Sequence, residues 1–240
     1  MTASMNKEIG KVLKSLKANN FKPVEYVEKA EDAIDMVLDM IPEDASLEMA
    51  GSISVNQLGL INRLIERGNK GPDFSKLGKV SMADMVRTRK DVLLASSNAV
   101  TLDGKLVNTD MMGNRVSAMI LGPKKVILLI GRNKIVRDLD EALYRVKHVI
   151  APYHARTMGM KTPCSKTGKC EDCSSPQRIC NVTTIISKKP PGVEFAIILV
   201  GEDLGLGWNP NWPEKRIEKI ASAYRSEMAK MNALFKRSKT

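Results

Sequence analysis

Aromatic side chains are scarce, at 4% of 240 residues, so the core must be aliphatic, with 14 methionines as adaptable filler. No apolar run approaches the roughly 20 residues that a membrane-spanning helix needs. The N-terminal residues lack the apolar segment of a signal peptide, and we therefore expect a cytoplasmic protein without a membrane span. Several catalytic motifs are also absent, namely GxSxG, the Walker loop, HExxH and a GxGxxG after a strand.

The charge balance is strongly basic, with 38 Lys and Arg against 27 Asp and Glu and a formal net charge of +11. Such an excess favours an anionic partner, such as a small anionic metabolite. No recognised nucleic-acid-binding motif accompanies the basic residues, and few aromatic residues are present for base stacking. Solvated basic faces explain them better, so nucleic acid is not an expected partner.

All four cysteines lie in one short stretch, at Cys164, Cys170, Cys173 and Cys180. A CxxC pair presents two thiolates to one ion from a single turn, and four thiolates suit zinc or an iron–sulfur cluster. The stretch has one CxxC where a zinc ribbon usually has two, and its spacing matches no ferredoxin motif. The uneven spacing favours an iron–sulfur cluster over zinc, which remains the alternative. We expect a cluster of the 4Fe–4S type. Reduced thiols that bind nothing, or a disulfide between Cys170 and Cys173, are the competing interpretations.

The order of elements predicts an α/β fold with an open, mainly parallel sheet between helices. Residues 124–131 are the clearest strand, apolar on both faces as a central parallel strand would be. Asp103-Gly104 predicts a hairpin, and helical periods predict one helix over 55–66 and a basic helix or turn over 81–90. We expect a single domain over residues 1–240. It would have a helical N-terminal region at about 1–42 and an inserted, irregular cysteine loop at about 161–181.

The short strand predicted over 46–51 ends in glycine and is followed by Ser52 and Ser54. A helix that begins there would offer backbone N–H groups and hydroxyls to an anion. An ordinary serine cap is the commoner explanation of the same pattern.

Five ordered motifs support a family resemblance. They are Ser97-Asn98-Ala99-Val100-Thr101, Asp103-Gly104-Lys105-Leu106-Val107-Asn108, Gly113-Asn114-Arg115-Val116, Gly122-Pro123-Lys124-Lys125-Val126 and Gly131-Arg132-Asn133-Lys134-Ile135-Val136. Together they resemble the LUD-domain family of lactate-utilisation proteins over roughly residues 45–205. The segment from Thr162 to Cys180 is similar to the cysteine-bearing branch of that family.

The resemblance implies a fold akin to ribose-5-phosphate isomerase and the CoA transferases, which bind anionic ligands at the carboxyl ends of parallel strands. Arg115 and Lys134 would then pair with a carboxylate or phosphate, and Asp110 and Glu48 would be acid–base groups. Each of these residues is equally explained as a turn, cap or surface residue. The implied ligand cleft would collect Gly51, Ser52, Ser54, Asn98, Thr101, Asn108, Asp110, Gly113, Asn114, Arg115 and Lys134.

The family is associated with oxidation of L-lactate to pyruvate by a multi-subunit iron–sulfur system. This chain has one four-cysteine set and neither repeated ferredoxin motifs nor a flavin motif. The resemblance therefore implies an accessory subunit with iron–sulfur or flavin redox subunits as partners, or a free-standing relative with another substrate. Because a fold does not establish a reaction, a non-redox anion-binding or transferase-like domain with a structural zinc is the alternative.

Overall fold

The computed structural model describes residues 3–49, 51–71 and 90–237. Its helices are α1 (Ala3–Ala18), α2 (Ala30–Met40), α3 (Ile53–Gln57), α4 (Leu60–Glu66), α5 (Asn114–Leu121), α6 (Leu139–Arg145), α7 (Ala151–Thr157), α8 (Pro163–Thr167) and α9 (Glu214–Arg237). Its strands are β1 (Val24–Val27), β2 (Leu47–Met49), β3 (Val92–Ala95), β4 (Ala99–Thr101), β5 (Leu106–Asp110), β6 (Lys125–Gly131), β7 (Ile135–Val136), β8 (Val182–Ile186) and β9 (Glu194–Val200). None of these helices is both long and apolar enough to cross a membrane.

The larger sheet has five strands in the order β1-β9-β6-β3-β2, and every neighbouring pair is parallel. Strand β6 lies at its centre and pairs with β9 along all seven of its residues. Its side chains are buried on both faces, which confirms the central parallel strand expected from the apolar run.

Alternation along the central strands divides the interior into two hydrophobic cores. On one face, Leu128 and Ile197 pack with α1, α5 and a second sheet. On the other face, Leu129 and Ile198 pack with α2, α3 and α4. Successive side chains of a strand point to opposite faces, so two strands covered on both sides supply both cores. The fold class expected from the sequence is therefore confirmed.

The second sheet was not expected as a separate unit. Its four strands run in the order β7-β4-β5-β8, with β4–β5 and β5–β8 antiparallel and β4–β7 parallel. The predicted hairpin at Asp103-Gly104 is present and joins β4 to β5. One face of this sheet packs on the first core, and α6 covers the other.

One helix prediction needs correction. The helix expected over 55–66 is interrupted at Gly59, whose φ of +63° is the left-handed conformation, so the segment forms α3 and α4. Helix α6 continues through a π-helix at Val146–Ile150 into α7, which has Pro152 in its first turn. Proline has no N–H for the normal helical hydrogen bond, which fits the wider turn before it. The basic helix or turn predicted over 81–90 lies almost entirely outside the described residues.

Candidate functional site

The carboxyl ends of the parallel strands meet along one edge of the larger sheet. Ser52 and Ser54 follow β2, Asn98 follows β3, and Lys134 follows β6. The loop that follows β9 carries Gly205, Leu206 and Gly207 to the same edge. Ligands of open α/β sheets bind at this edge, so the topology brings these candidate residues to the expected location.

Arg115, in the first turn of α5, is enclosed by hydrogen-bond acceptors. Its Nε and Nη2 both donate to Asp110 Oδ1, at 3.0 and 2.6 Å, and only 13% of the arginine side chain is exposed. Asp110 Oδ2 accepts from the backbone N–H of Val116 at 2.9 Å, which holds the carboxylate against the start of the helix. The other acceptors of the guanidinium are Ser96 O, Asn108 Oδ1, Asn98 Oδ1 and Thr109 O.

Each guanidinium nitrogen of Arg115 therefore has as many acceptors as protons, or more. A ligand anion would have to displace one of these acceptors to reach it. The hydrogen bonds of Arg115 fix the ends of β3 and β5 to α5.

The amides of Asn98 and Asn108 complete this network. Asn98 Oδ1 also accepts from the backbone N–H of Thr109 at 2.8 Å, and Asn108 Oδ1 accepts from the backbone N–H of Asn98 at 3.3 Å. The Nδ2 of Asn108 is buried and has no hydrogen-bond partner in the described part of the chain.

Lys134 is a buried cation at the carboxyl end of the central strand. It is 4% exposed, and its Nζ donates to the carbonyl oxygen of Leu206. Among the described residues it has no carboxylate partner. Burial, followed by the positive charges of Arg115 and Arg145, lowers the pKa of Lys134 to about 7. The amine of Lys134 therefore gains or loses its proton near neutral pH. An anionic ligand that binds it would meet no competing carboxylate among the described residues.

The loop after β9 brings Ser54 to Lys134. Gly205 adopts a φ of +64°, and a Cβ built on it would lie 2.3 Å from Ser54 Oγ and 3.4 Å from Lys134 Nζ. Asn133 holds this loop, because its Oδ1 accepts from Leu204 N at 2.9 Å and its Nδ2 donates to Gly207 O at 3.0 Å. A hydroxyl and an amine that are 80 residues apart in sequence thus converge on one glycine.

The other predicted ligand residues are less closely gathered. Thr101 is fully buried in the hairpin, where its hydroxyl donates to Asp103 and accepts from the backbone N–H of Lys105. Gly51 is exposed, and Ser52 precedes α3 without a side-chain capping hydrogen bond. Gly113 and Asn114 form the start of α5, where Gly113 has a φ of +83°. Glu48, on β2, is half-buried, and this burial raises the pKa of its carboxyl.

The sequence did not reveal a pair formed by the buried Tyr224 and the half-buried His154. The Tyr224 hydroxyl hydrogen-bonds His154 Nδ1 between α7 and α9, and Tyr224 is 3% exposed. Burial, with a smaller effect of Arg115, lowers the pKa of His154 to about 4, so the imidazole is neutral at pH 7. The two residues are 70 positions apart, and no local spacing could have paired them.

The cysteine loop is anchored at both ends to the elements that carry these residues. From α7, Arg156 Nε donates to Ser165 O at 2.8 Å and its Nη2 donates to Lys166 O at 3.2 Å. At the far end, Asn181 N donates to Asp110 O at 3.1 Å. Because Asp110 pairs with Arg115, whose positive charge lowers the pKa of Lys134, the loop is connected to the strand ends around the candidate anion site.

All four thiols are free and half-buried, and Cys164 lies in the one-turn helix α8. Burial raises the pKa of the Cys180 thiol, Arg178 lowers it, and Cys170 and Cys164 add smaller upward contributions. In the described part of the chain, no three His, Cys, Asp or Glu side chains are grouped closely enough to hold a metal ion. The chemical type of the donors nevertheless suits a thiolate-bound metal centre. Four cysteines share one hydrogen-bonded loop, and three of them interact electrostatically.

Two comparisons with known proteins give matches. A crystal structure of a DUF162 family protein from Deinococcus radiodurans is similar, with a TM-score of 0.48 and 12% identity. The similarity covers 83% of this chain and 99% of that chain. No curated protein matches the sequence. The family model of the LUD domain matches residues 9–200, which begins inside α1 and ends with β9, and the chain therefore belongs to the LUD-domain family.

Proposed function

We propose that this LUD-domain protein acts in the redox metabolism of lactate or a related small carboxylate, with an iron–sulfur cluster in its cysteine loop. One observation carries the proposal. The four-cysteine loop is hydrogen-bonded to Asp110, and Asp110 pairs with Arg115, whose charge acts on Lys134, a buried amine with no carboxylate partner among the described residues. An electron-transfer centre and an anion site would then be neighbours.

Cys164, Cys170, Cys173 and Cys180 would hold the cluster. A cluster of the 4Fe–4S type would supply one-electron transfer when bound. Lys166, Lys169 and Arg178 lie in the same loop, where their positive charges would offset the negative charge of thiolate ligands.

Lys134 would bind the carboxylate of the metabolite. An incoming anion would favour the protonated amine, because it supplies the opposite charge that the buried group lacks. Ser54 would add a hydroxyl near the same glycine, Gly205, and Arg115 would keep the surrounding strand ends in place.

The cluster is tested by purifying the full chain anaerobically and measuring iron, labile sulfide and zinc. We expect about four iron and four sulfide per chain, as a 4Fe–4S cluster requires. Absence of both iron and sulfide would rule out the electron-transfer role.

Carboxylate binding is tested separately by calorimetry with lactate and pyruvate at pH 6.5. Binding should be lost in K134M and retained in K230M, which replaces an exposed lysine on α9. Equal binding by wild type and K134M would exclude the proposed carboxylate site without affecting the conclusion about the metal.

A transferase-like domain with a structural zinc is the second candidate, and Glu48 favours it. Its half-buried carboxyl has a raised pKa and lies near the same sheet edge, as an acid–base group would. Stoichiometric zinc, with unfolding on chelation, would support this candidate. Zinc-free protein that folds normally would exclude it.

The cysteine loop and the candidate anion site also suggest where the protein acts and with which partners. We propose a cytoplasmic protein, since reduced cysteines that bind metal are typical of that compartment. Its partners would be a small anionic metabolite and iron–sulfur or flavin redox subunits, whereas the sequence carries no motif for nucleic acid.

A further inference from the structure

Arg178 joins two parts of the cysteine loop that are far apart along the loop. Its Nη1 donates to Cys173 O at 2.7 Å, and its Nε donates to Cys180 O at 3.4 Å. The third nitrogen, Nη2, donates to Asp172 Oδ1 at 2.9 Å. One planar guanidinium therefore contacts the backbone of Cys173 and Cys180 and the side chain of Asp172, which lies inside the CxxC turn.

The gap from Cys173 to Cys180 is the longest in the set, with six intervening residues that include Pro176. Holding its ends together carries an entropic cost, because a free segment of this length samples many end-to-end distances. The hydrogen bonds from Arg178 to both cysteine carbonyls reduce that freedom before any metal is bound.

The CxxC turn itself depends on Asp172. This residue has a φ of +49°, a left-handed conformation that Asp tolerates better than most residues other than glycine. Its carboxylate is held by Arg178 and faces Lys147 of the π-helix at 3.9 Å. Arg178 thus stabilises the turn that presents Cys170 and Cys173.

We propose that Arg178 is the positioning residue of the four-cysteine metal site, setting the distance between the CxxC turn and Cys180. This inference rests on the proposed metal-binding function of the loop. The arginine contacts the backbone carbonyls of Cys173 and Cys180, and it also hydrogen-bonds the Cys180 thiol, which favours the thiolate that binds metal. Its positive charge also lies beside the thiolates, where it would stabilise the more negative, reduced form of a bound cluster.

An ordinary loop brace is the competing explanation, and the chain offers a matched control for it. Arg156 also donates to two backbone carbonyls of the loop, those of Ser165 and Lys166, neither of which is a cysteine. A general loss of loop stability should therefore appear in both R156Q and R178Q. A specific role in the metal site should appear only in the Arg178 variants.

The test uses the full reduced chain and Zn²⁺ in competition with a chromophoric chelator. We expect R178Q to bind zinc about 10–100-fold more weakly than wild type, as for other residues that orient metal ligands. The zinc affinity of R156Q should stay within about threefold of the wild-type value. Thermal melts of the metal-free variants check that each one folds.

R178K separates geometry from charge, because lysine keeps the positive charge but cannot make the forked hydrogen bonds. In chain reconstituted anaerobically with iron and sulfide, R178Q should shift the reduction potential to a more negative value. R178K should keep the wild-type potential and still bind zinc more weakly.

Zinc affinity in R178Q equal to wild type would overturn the inference, as would equal weakening in R156Q. A wild-type chain that takes up neither zinc nor iron would instead overturn the proposed metal function on which the inference rests. The failures of the two proposals are therefore distinguishable.

Discussion

Asn181, the residue after Cys180, donates its backbone N–H to the carbonyl oxygen of Asp110 at 3.1 Å. The side chain of Asp110 in turn holds Arg115 through two hydrogen bonds. A structural change at the last cysteine can therefore reach the arginine network through this backbone contact and through the pairing of β8 with β5. The end of β5 thus connects the cysteine loop to the arginine that fixes the strand ends around the candidate anion site.

We expect replacement of Arg115 to destabilise the fold strongly. R115Q removes the partner of a carboxylate that is 8% exposed and leaves four other acceptors without this donor. Breaking a buried ion pair from one side costs about 3–5 kcal/mol, and we expect a loss of that size in urea unfolding. The exposed pair of Arg225 and Glu218 provides the control, and R225Q should cost under about 1 kcal/mol. If R115Q lowers the free energy of unfolding by less than about 1 kcal/mol, Arg115 does not hold the ends of β3 and β5 against α5.

K134M should stabilise the protein at neutral pH. The pKa of Lys134 is about 7 in the folded chain and 10.5 ordinarily, so between these values only the unfolded chain binds the proton. The free energy of unfolding therefore rises with pH from 7 to 10.5, and below pH 7 the cost of burying the charge stays constant. At pH 7 we expect K134M to exceed wild type by about 2–4 kcal/mol, with the gap shrinking toward pH 10. A gap that does not change with pH in urea unfolding would show that Lys134 titrates normally.

His154 should make the folded state less stable at acid pH, between about 6.5 and 4. Its folded pKa of about 4 lies below its ordinary value of 6.5, so the folded state keeps the imidazole neutral. The stability it contributes is present above pH 6.5 and is lost as the pH falls toward 4, by about 2–3 kcal/mol. H154Q should lack this part of the pH profile, whereas H148Q, at an exposed position, should retain it. Superimposable pH profiles of wild type and H154Q would contradict the assignment.

Gly205 should tolerate no side chain. In G205A the new Cβ would meet Ser54 Oγ at 2.3 Å, and the φ of +64° is strained for alanine, so we expect a loss of about 2–3 kcal/mol. Gly192 is the matched control, because a Cβ there has no neighbour within 4 Å. G192A should be nearly neutral in thermal unfolding. Comparable melting temperatures for the two variants would mean that the loop after β9 can move away from Ser54.

Much of the fold was readable from local pattern. The apolar run over 124–131 predicted the central strand, and Asp103-Gly104 predicted the hairpin, because both signals lie in neighbouring residues. The alternation of strands and helices predicted a parallel sheet, and this places Asn98 and Lys134 at its carboxyl edge. The separation of β4, β5, β7 and β8 into a second sheet was not predictable in this way, since it depends on strand pairing across the whole chain.

The sequence alone also determined that four thiols share one loop and that the motifs are those of the LUD domain. Only the tertiary structure decided which charges are available. Arg115 and Lys134 are both cations in family motifs, yet Arg115 is enclosed by acceptors from β3 and β5 while Lys134 has no carboxylate partner among the described residues. The pKa and free donors of a side chain depend on burial and on partners brought from distant positions, as with Ser54 beside Lys134 or Tyr224 beside His154. Residue type and spacing specify neither the pKa nor the free donors of a side chain. The sequence could therefore identify the candidate residues but not their separate roles.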